Sequence, residues 1–463
     1  MLLCRSRSRV LQSALVLVLM LGAGLLGEPD QGGASATAGD WTVYHHDPAG
    51  LGVAGPIRLA HAHQAWVSPT LDGQLFGEPL VVGQTVVVAT QNDTVYALNA
   101  RTGRIRWSTH VGRPVQTSTL PCGNITPTLG ITATPVIDPA RNEVFVVADV
   151  AGAHAPVHEL FGLRVSSGSI LLRKVVDPPG INTAATLQRV ALTLDDGAVV
   201  FGDGGNYGDC STYHGWIISV PETGGPMRTY EVDAAPGDDQ GAVWMGGGAP
   251  VIDAHGDIWF AAGNGSVVTP GRPYDGSDSV VELSPTLHEI QSFAPAGWAS
   301  DNAHDRDLGS GVPALLPDGL VVQGDKSQIV YVLSAAKLGG VGGQLAAVGS
   351  ICNDDVDGGN AVRGTVVFMP CLGGLVAVSV STSPPSVRRF WQAAAVTGPP
   401  ILAGGLVWAM SVGGELDGIN PSSGVVSQRF QVGAVANHFP SPSAGDGRLF
   451  APGLDQVFAF AGR

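Results

Sequence analysis

The sequence predicts an all-β fold, an eight-bladed β-propeller in which an N-terminal strand closes the last blade. Three observations carry that expectation. Glycine and proline make up 65 and 32 of the 463 residues, and they interrupt nearly every stretch before a helical period can establish itself. Residues 80–112 (LVVGQTVVVATQNDTVYALNARTGRIRWSTHVG) hold three short β-branched runs separated by turn residues, the pattern of an antiparallel meander. The phrase then returns seven more times in worn form, and one such sheet cannot bury its faces without stacked copies.

The copies follow in order. The first has an apolar run at residues 85–89, a polar turn at 91–93, a second run at 95–98, a Thr102-Gly103 turn and a third run ending on Trp107. The second starts at Pro135 and, after an insertion, resumes at Phe161. The third starts at Ala191 and continues from Gly215, and the fourth starts at Pro250 and continues from Ser279. The fifth, sixth and seventh start at Pro313, Gly359 and Pro399. The eighth starts at Pro440 and stops before an outer strand. Residues 61–70 (HAHQAWVSPT) form an outer strand with no blade of their own, and Trp66 stands where Trp107 stands. Pairing of this segment with the eighth copy closes the ring and removes exposed sheet edges.

Residues 1–36 read as a Sec-type signal peptide and spacer, and 37–463 as a single propeller domain. Arg5, Arg7 and Arg9 precede an apolar core at residues 14–26, which is too short for a comfortable membrane span. An uncleaved anchor is the alternative. Cleavage after Ala36 removes three arginines and two acids, taking the net charge from −15 to −16. An acidic body argues against nucleic acid and anionic lipid. No later stretch is long enough to span a bilayer. The mature chain is therefore expected in the periplasm or outside the cell. Cys122, Cys210, Cys352 and Cys371 remain after export, and an even number favours two disulfides there. Cys352 and Cys371 are close in sequence, which leaves Cys122 for Cys210; buried free thiols are the alternative.

The wording of the repeat, VYALNARTGRIRW above all, resembles the PQQ-repeat (quinoprotein alcohol dehydrogenase-like) propellers. These include alcohol dehydrogenases dependent on pyrroloquinoline quinone (PQQ) and a cofactor-free scaffold propeller of outer-membrane assembly. The resemblance spans about residues 57–462. It is nearest to the secreted polyvinyl-alcohol-dehydrogenase-like branch, on AAGNG, DSVVELS and DLGSGVPALLPDGLVVQGDKS. It implies PQQ on the propeller axis above a tryptophan floor, a calcium ion held by carboxylate and amide oxygens, and an aspartate acting as base on an alcohol.

By that resemblance, Trp244 (GAVWMGG) is the floor, Asn264 (AAGNG) a calcium ligand, Asp305 (AHDRDLG) the catalytic base and Lys326 (QGDKSQ) a contact to the quinone edge. Asn206 (GGNYGDC) stands where the family has a calcium-ligating glutamate, and the family's adjacent-cysteine pair is replaced by the single Cys122. Each residue also has a plainer role. Asn suits a left-handed Gly-Asn-Gly turn, an acidic loop is usually solvated, and His214 is a satisfied structural histidine. Two functions follow. One is a PQQ- and calcium-dependent oxidation of a small alcohol or a polymer. Without a CxxCH haem site, its electrons leave to a separate acceptor. The other is a non-catalytic module that binds or scaffolds a polymer or protein partner.

Overall fold

The computed structural model describes residues 39–394 and 396–463, so residues 1–36 of the expected signal peptide and spacer lie outside the described residues. Eight antiparallel sheets succeed one another along the chain as the blades of a propeller. Blade 1 is Leu80–Val82, Thr85–Ala89, Thr94–Asn99 and Ile105–His110. Blades 2 to 7 occupy residues 136–175, 186–231, 251–294, 314–348, 361–393 and 401–431. Blade 8 is Ser443–Gly445, Arg448–Pro452, Val457–Ala461 and, as its outer strand, His63–Val67. The closing register pairs His63 with Ala461 and Val67 with Phe458.

Burial explains why each strand reads as it does. The second and third strands of blade 1 are covered by neighbouring blades on both faces, so Thr85–Ala89 is a continuous buried run. The outer strand Ile105–His110 is largely exposed and correspondingly polar. Its Trp107 locks one blade to the next. Trp107 Nε1 donates to Val165 O at 2.8 Å, and its ring covers Gly168, where a Cβ would lie 2.5 Å from Cε3. Trp66 repeats this contact on Ala100 O and Gly103, and Trp391 on Pro421 O and Gly424.

A segment ahead of the first blade adds a feature the repeat pattern did not reveal. Residues 40–54 run across the inner strands of five blades. Trp41 exchanges two backbone hydrogen bonds with Val81 of blade 1, and Ile137 of blade 2 donates to Thr42 O at 2.8 Å. Ile252 of blade 4 donates to Pro48 O, Val362 of blade 6 to Leu51 O, and Leu402 of blade 7 to Gly52 O. Tyr44 and His45 stack at 4.1 Å in the middle of this crossing and are buried. They plug the centre of the ring.

One local expectation differs from the structure, and one strand pairing was not foreseen. The insertion in the second copy is no insertion: Glu143–Ala151 and Pro156–Arg164 are a long continuous hairpin. Between blades 4 and 5, Gly340–Val341 pairs in parallel with the outer strand of blade 4 before Ala346–Val348 completes blade 5. Among the described residues the only α-helix is Trp298–Asn302, and no helix there is long and apolar enough to cross a membrane.

Candidate functional site

Loops from blades 3, 4, 5 and 6, and from the connections into blades 2, 4, 5, 6 and 8, reach one cavity of about 690 Å³. Segments this far apart around a ring meet only near its axis. Asn206, Trp244, Asn264, Asp305 and Lys326 all line this cavity. The structure therefore brings the five sequence-predicted residues together.

Trp244 lies just before blade 4, ahead of a turn in which Met245, Gly246 and Gly247 all have positive φ. Its ring rests on Gly204 of blade 3, where a Cβ would lie 2.2 Å from Cδ1. Lys326 Nζ stands 5.0 Å from the centre of that ring, within range of a cation–π contact. The same ammonium donates to Asp305 Oδ1 at 3.0 Å and to Asp307 Oδ2. The two carboxylates differ: Asp305 is 74% exposed, and Asp307 is fully buried. Burial opposes the charge on Lys326, but Asp307 and Asp305 outweigh it and raise its pKa. Burial pushes Asp307 up to about 6 even though Lys326 pulls it down.

Asp307 also fixes the neighbouring loop by accepting the Asn264 backbone N–H at 2.8 Å. Asn264 Nδ2 donates to Asp209 Oδ1 and to Tyr213 Oη, each at 3.1 Å, and Tyr213 Oη donates to Asp209 Oδ1 at 2.5 Å. With its amide nitrogen so engaged, Asn264 keeps its Oδ1 for another partner. Asn206 Nδ2 donates to Ala184 O at 3.1 Å, which leaves its oxygen in the same state. The Cys122–Cys210 disulfide ties this blade-3 loop to the connection before blade 2, and Cys352–Cys371 is the second bridge. The bridges are compatible with an oxidising compartment. His214 does not line the cavity; its Nδ1 sits 2.8 Å from Asp233 Oδ1, as a structural histidine does.

Several cavity residues escaped the sequence reading. Asp209 is one, three positions beyond Asn206. Arg189, Ser310, Asp355, Asp357, His438 and Phe439 are others. Arg189 carried a signal that was available, a charge set in the apolar run TLQRVAL. His438 and Phe439 lie in a connection with no repeat pattern to mark them.

The comparisons with known proteins agree with the fold. The PQQ_2 family model, described as outer membrane protein assembly factor BamB, matches residues 56–285. The chain belongs to this PQQ-repeat family of β-propellers. Among curated proteins it is similar to the polyvinylalcohol dehydrogenase of Sphingopyxis sp. (strain 113P3), 21% identical over 308 residues. That match covers 58% of this chain and 44% of the relative, so the chain spans under half of the relative's length. Similar solved structures include the quinohemoprotein alcohol dehydrogenase ADHIIG from Pseudomonas putida HK5, at TM-score 0.70 and 14% identity over 92% of this chain and 80% of that one. The quinohemoprotein alcohol dehydrogenase from Comamonas testosteroni has TM-score 0.66 and 15% identity over 92% and 81%. A europium-containing methanol dehydrogenase has TM-score 0.67 and 13% identity over 92% and 98%. At these identities the structural likeness speaks for the fold.

Proposed function

We propose that the protein is an exported quinoprotein-like dehydrogenase that oxidises an alcohol, small or polymeric, with PQQ and calcium. The carrying observation is the meeting of Trp244, Asn264, Asp305 and Lys326 on one axial cavity, with the ammonium poised beside the indole face. The residues present suit a flat, polyanionic quinone, because Trp244 offers an aromatic platform and Lys326 a fixed donor. The donor set also suits calcium, being all oxygen: the amide oxygens of Asn206 and Asn264, with the carboxylate of Asp209 beside them. Asp209 offers the charge that Asn206 lacks.

When bound, PQQ supplies a quinone that takes a hydride from the alcohol carbon. The chain's own residues do the rest. Asp305, exposed at the cavity wall, takes the alcohol O–H proton, so loss of the proton and of the hydride leaves a carbonyl product. Lys326 holds Asp305 in place and keeps a positive charge beside Trp244. Asp307, buried behind them, orients both Lys326 and the Asn264 loop. The electrons then pass to a separate acceptor.

The test is reconstitution of the purified protein with PQQ and calcium, followed by alcohol-dependent dye reduction. Asp305→Ala is expected to lose on the order of 10²–10⁴ in turnover while still binding PQQ. A variant on the outer wall, such as Arg104→Ala, leaves the rate unchanged. No PQQ binding by the wild type removes the proposal. It would favour a non-catalytic binding module, the reading supported by Asn206 in the glutamate's place.

A further inference from the structure

We propose that the cavity carries a hydroxyl subsite, built by Asp355, Asn437 and His438, which takes a second hydroxyl of the substrate and makes the site one for polyhydric alcohols. Asp355 lies in the connection into blade 6, and Asn437 and His438 lie in the connection into blade 8. In a ring of eight, blade 8 stands opposite blade 4, the side on which Trp244 and Asn264 sit. All three side chains line the cavity, and the oxidation step itself uses none of them.

His438 has one ring nitrogen to spare. Its Nε2 lies 3.1 Å from Asp357 Oδ2. An ionised carboxylate can only accept, so Nε2 carries the hydrogen and Nδ1 of the neutral ring is left as an acceptor. Among the described residues, Nδ1 makes no hydrogen bond with the protein. The fully buried histidines differ. His158 has a carboxylate within 2.8 Å of each ring nitrogen, and His45 contacts Asn360 O and Ser441 Oγ. Asp355 is a second acceptor, because no protein group donates to its carboxylate among the described residues. Lys326 and Asp305 both act on its charge, so it faces the reacting side of the cavity. Asn437 adds a donor. Its Oδ1 accepts the Phe439 N–H at 2.9 Å, and its Nδ2 makes no hydrogen bond with the protein among the described residues. A hydroxyl both donates and accepts, so it can satisfy this mixed set. An ammonium can only donate, and a carboxylate can only accept.

The wall is also fixed in place. Leu372, next to the Cys352–Cys371 disulfide, donates to Asp355 O at 2.9 Å, and Val356 bridges to Cys371. The His438 ring packs on Phe439 with centres 3.9 Å apart. Groups held in this way keep their direction without a ligand, which lowers the entropic cost of binding one.

The inference rests on the quinone reading for oxidation of the first hydroxyl, and the experiment separates the two. In the reconstituted enzyme, kcat/KM for 1,3-propanediol is expected to exceed that for 1-propanol by about 5–30-fold, as one or two neutral hydrogen bonds provide. His438→Phe is expected to bring that ratio to about twofold or less, through KM. His438→Asn keeps an acceptor where Nδ1 stands and is expected to hold an intermediate ratio. If His438→Phe fails to fold, Asn437→Ala removes the donor alone and is expected to lower the ratio about 3-fold.

Saturation-transfer NMR on the protein without PQQ reads binding in the absence of turnover. The wild type is expected to favour the diol over 1-propanol, and His438→Phe to bind the two alike. A diol preference in binding without dehydrogenase activity keeps the subsite and ends the quinone reading. The same ratio in wild type and variants overturns the subsite, as does a wild type that binds both alcohols alike. A preference for 3-amino-1-propanol over the diol overturns it too, because the wall would then take an ammonium.

Discussion

Asn264 and Asp305 both hold a left-handed backbone, with φ of 56° and 55°. Asn and Asp tolerate that conformation better than other residues with side chains, so each serves as turn residue and as cavity wall at once. This double use made both residues ambiguous in the sequence, where a turn and a site look alike. Trp244 depends on its neighbour in another way. Gly204 leaves no atom between blade 3 and the indole, and the indole can lie flat only for that reason. Gly204→Ala should therefore displace Trp244. Overpacking of this kind costs about 1–3 kcal/mol, and PQQ affinity should fall with it. Denaturant unfolding and tryptophan fluorescence would read the two effects, and unchanged affinity would show that Trp244 is not the platform.

A tryptophan latch joins one blade to the next at three junctions of the ring. Trp66, Trp107 and Trp391 each place an indole N–H on a carbonyl of the next blade and a ring over a turn glycine. The latch was legible as a repeated tryptophan followed one copy later by a Thr-Gly or Ser-Gly turn. Trp66 has a further duty, because it sits in the strand that closes blade 8 and also touches Phe450 at 5.8 Å between ring centres. Trp66→Ala should cost about 3–5 kcal/mol, the usual range for deleting a buried large aromatic. Chemical denaturation would measure it. A loss no larger than that of an exposed outer-strand change, such as Ile105→Ala, would mean that closure contributes little. The long hairpin of blade 2 shows where pattern reading gave out: Pro156 and the Gly/Ala-rich stretch before it resemble a break, yet the two strands pair with each other from end to end.

Across the whole propeller, buried acids set a direction for pH. Burial raises Glu78 to about 8, Asp203 to about 7 and Asp93 to about 9. The unfolded chain releases those protons near ordinary carboxylate values, about 4. The folded chain therefore binds more protons above that point, and stability falls as pH rises through the folded values. His158, raised by Asp149 and Asp177 against its burial, acts in the same direction. His45, lowered to about 4, opposes the trend only below its ordinary value of 6.5, and Arg189 only above about 10. Between pH 6.5 and 9 the thermal midpoint should fall steadily, and Glu78→Gln should flatten the slope. Calorimetry across that range checks it; a rising midpoint would mean that these acids are ionised in the fold.

The number of blades, their order and the strand that closes the ring could all be read from one dimension. Each blade is a local meander, and its strand period and turn residues lie within a few tens of residues of one another. The family's marks at Trp244, Asn264, Asp305 and Lys326 were legible for the same reason. Folding alone established the central plug of Tyr44 and His45, the bridge of Lys326 between Asp305 and Asp307, the partnership of Asp209 with Asn264, and the pairing of His438 with Asp357. These depend on side chains from different blades meeting near one axis. No local pattern in the chain encodes the distance between them.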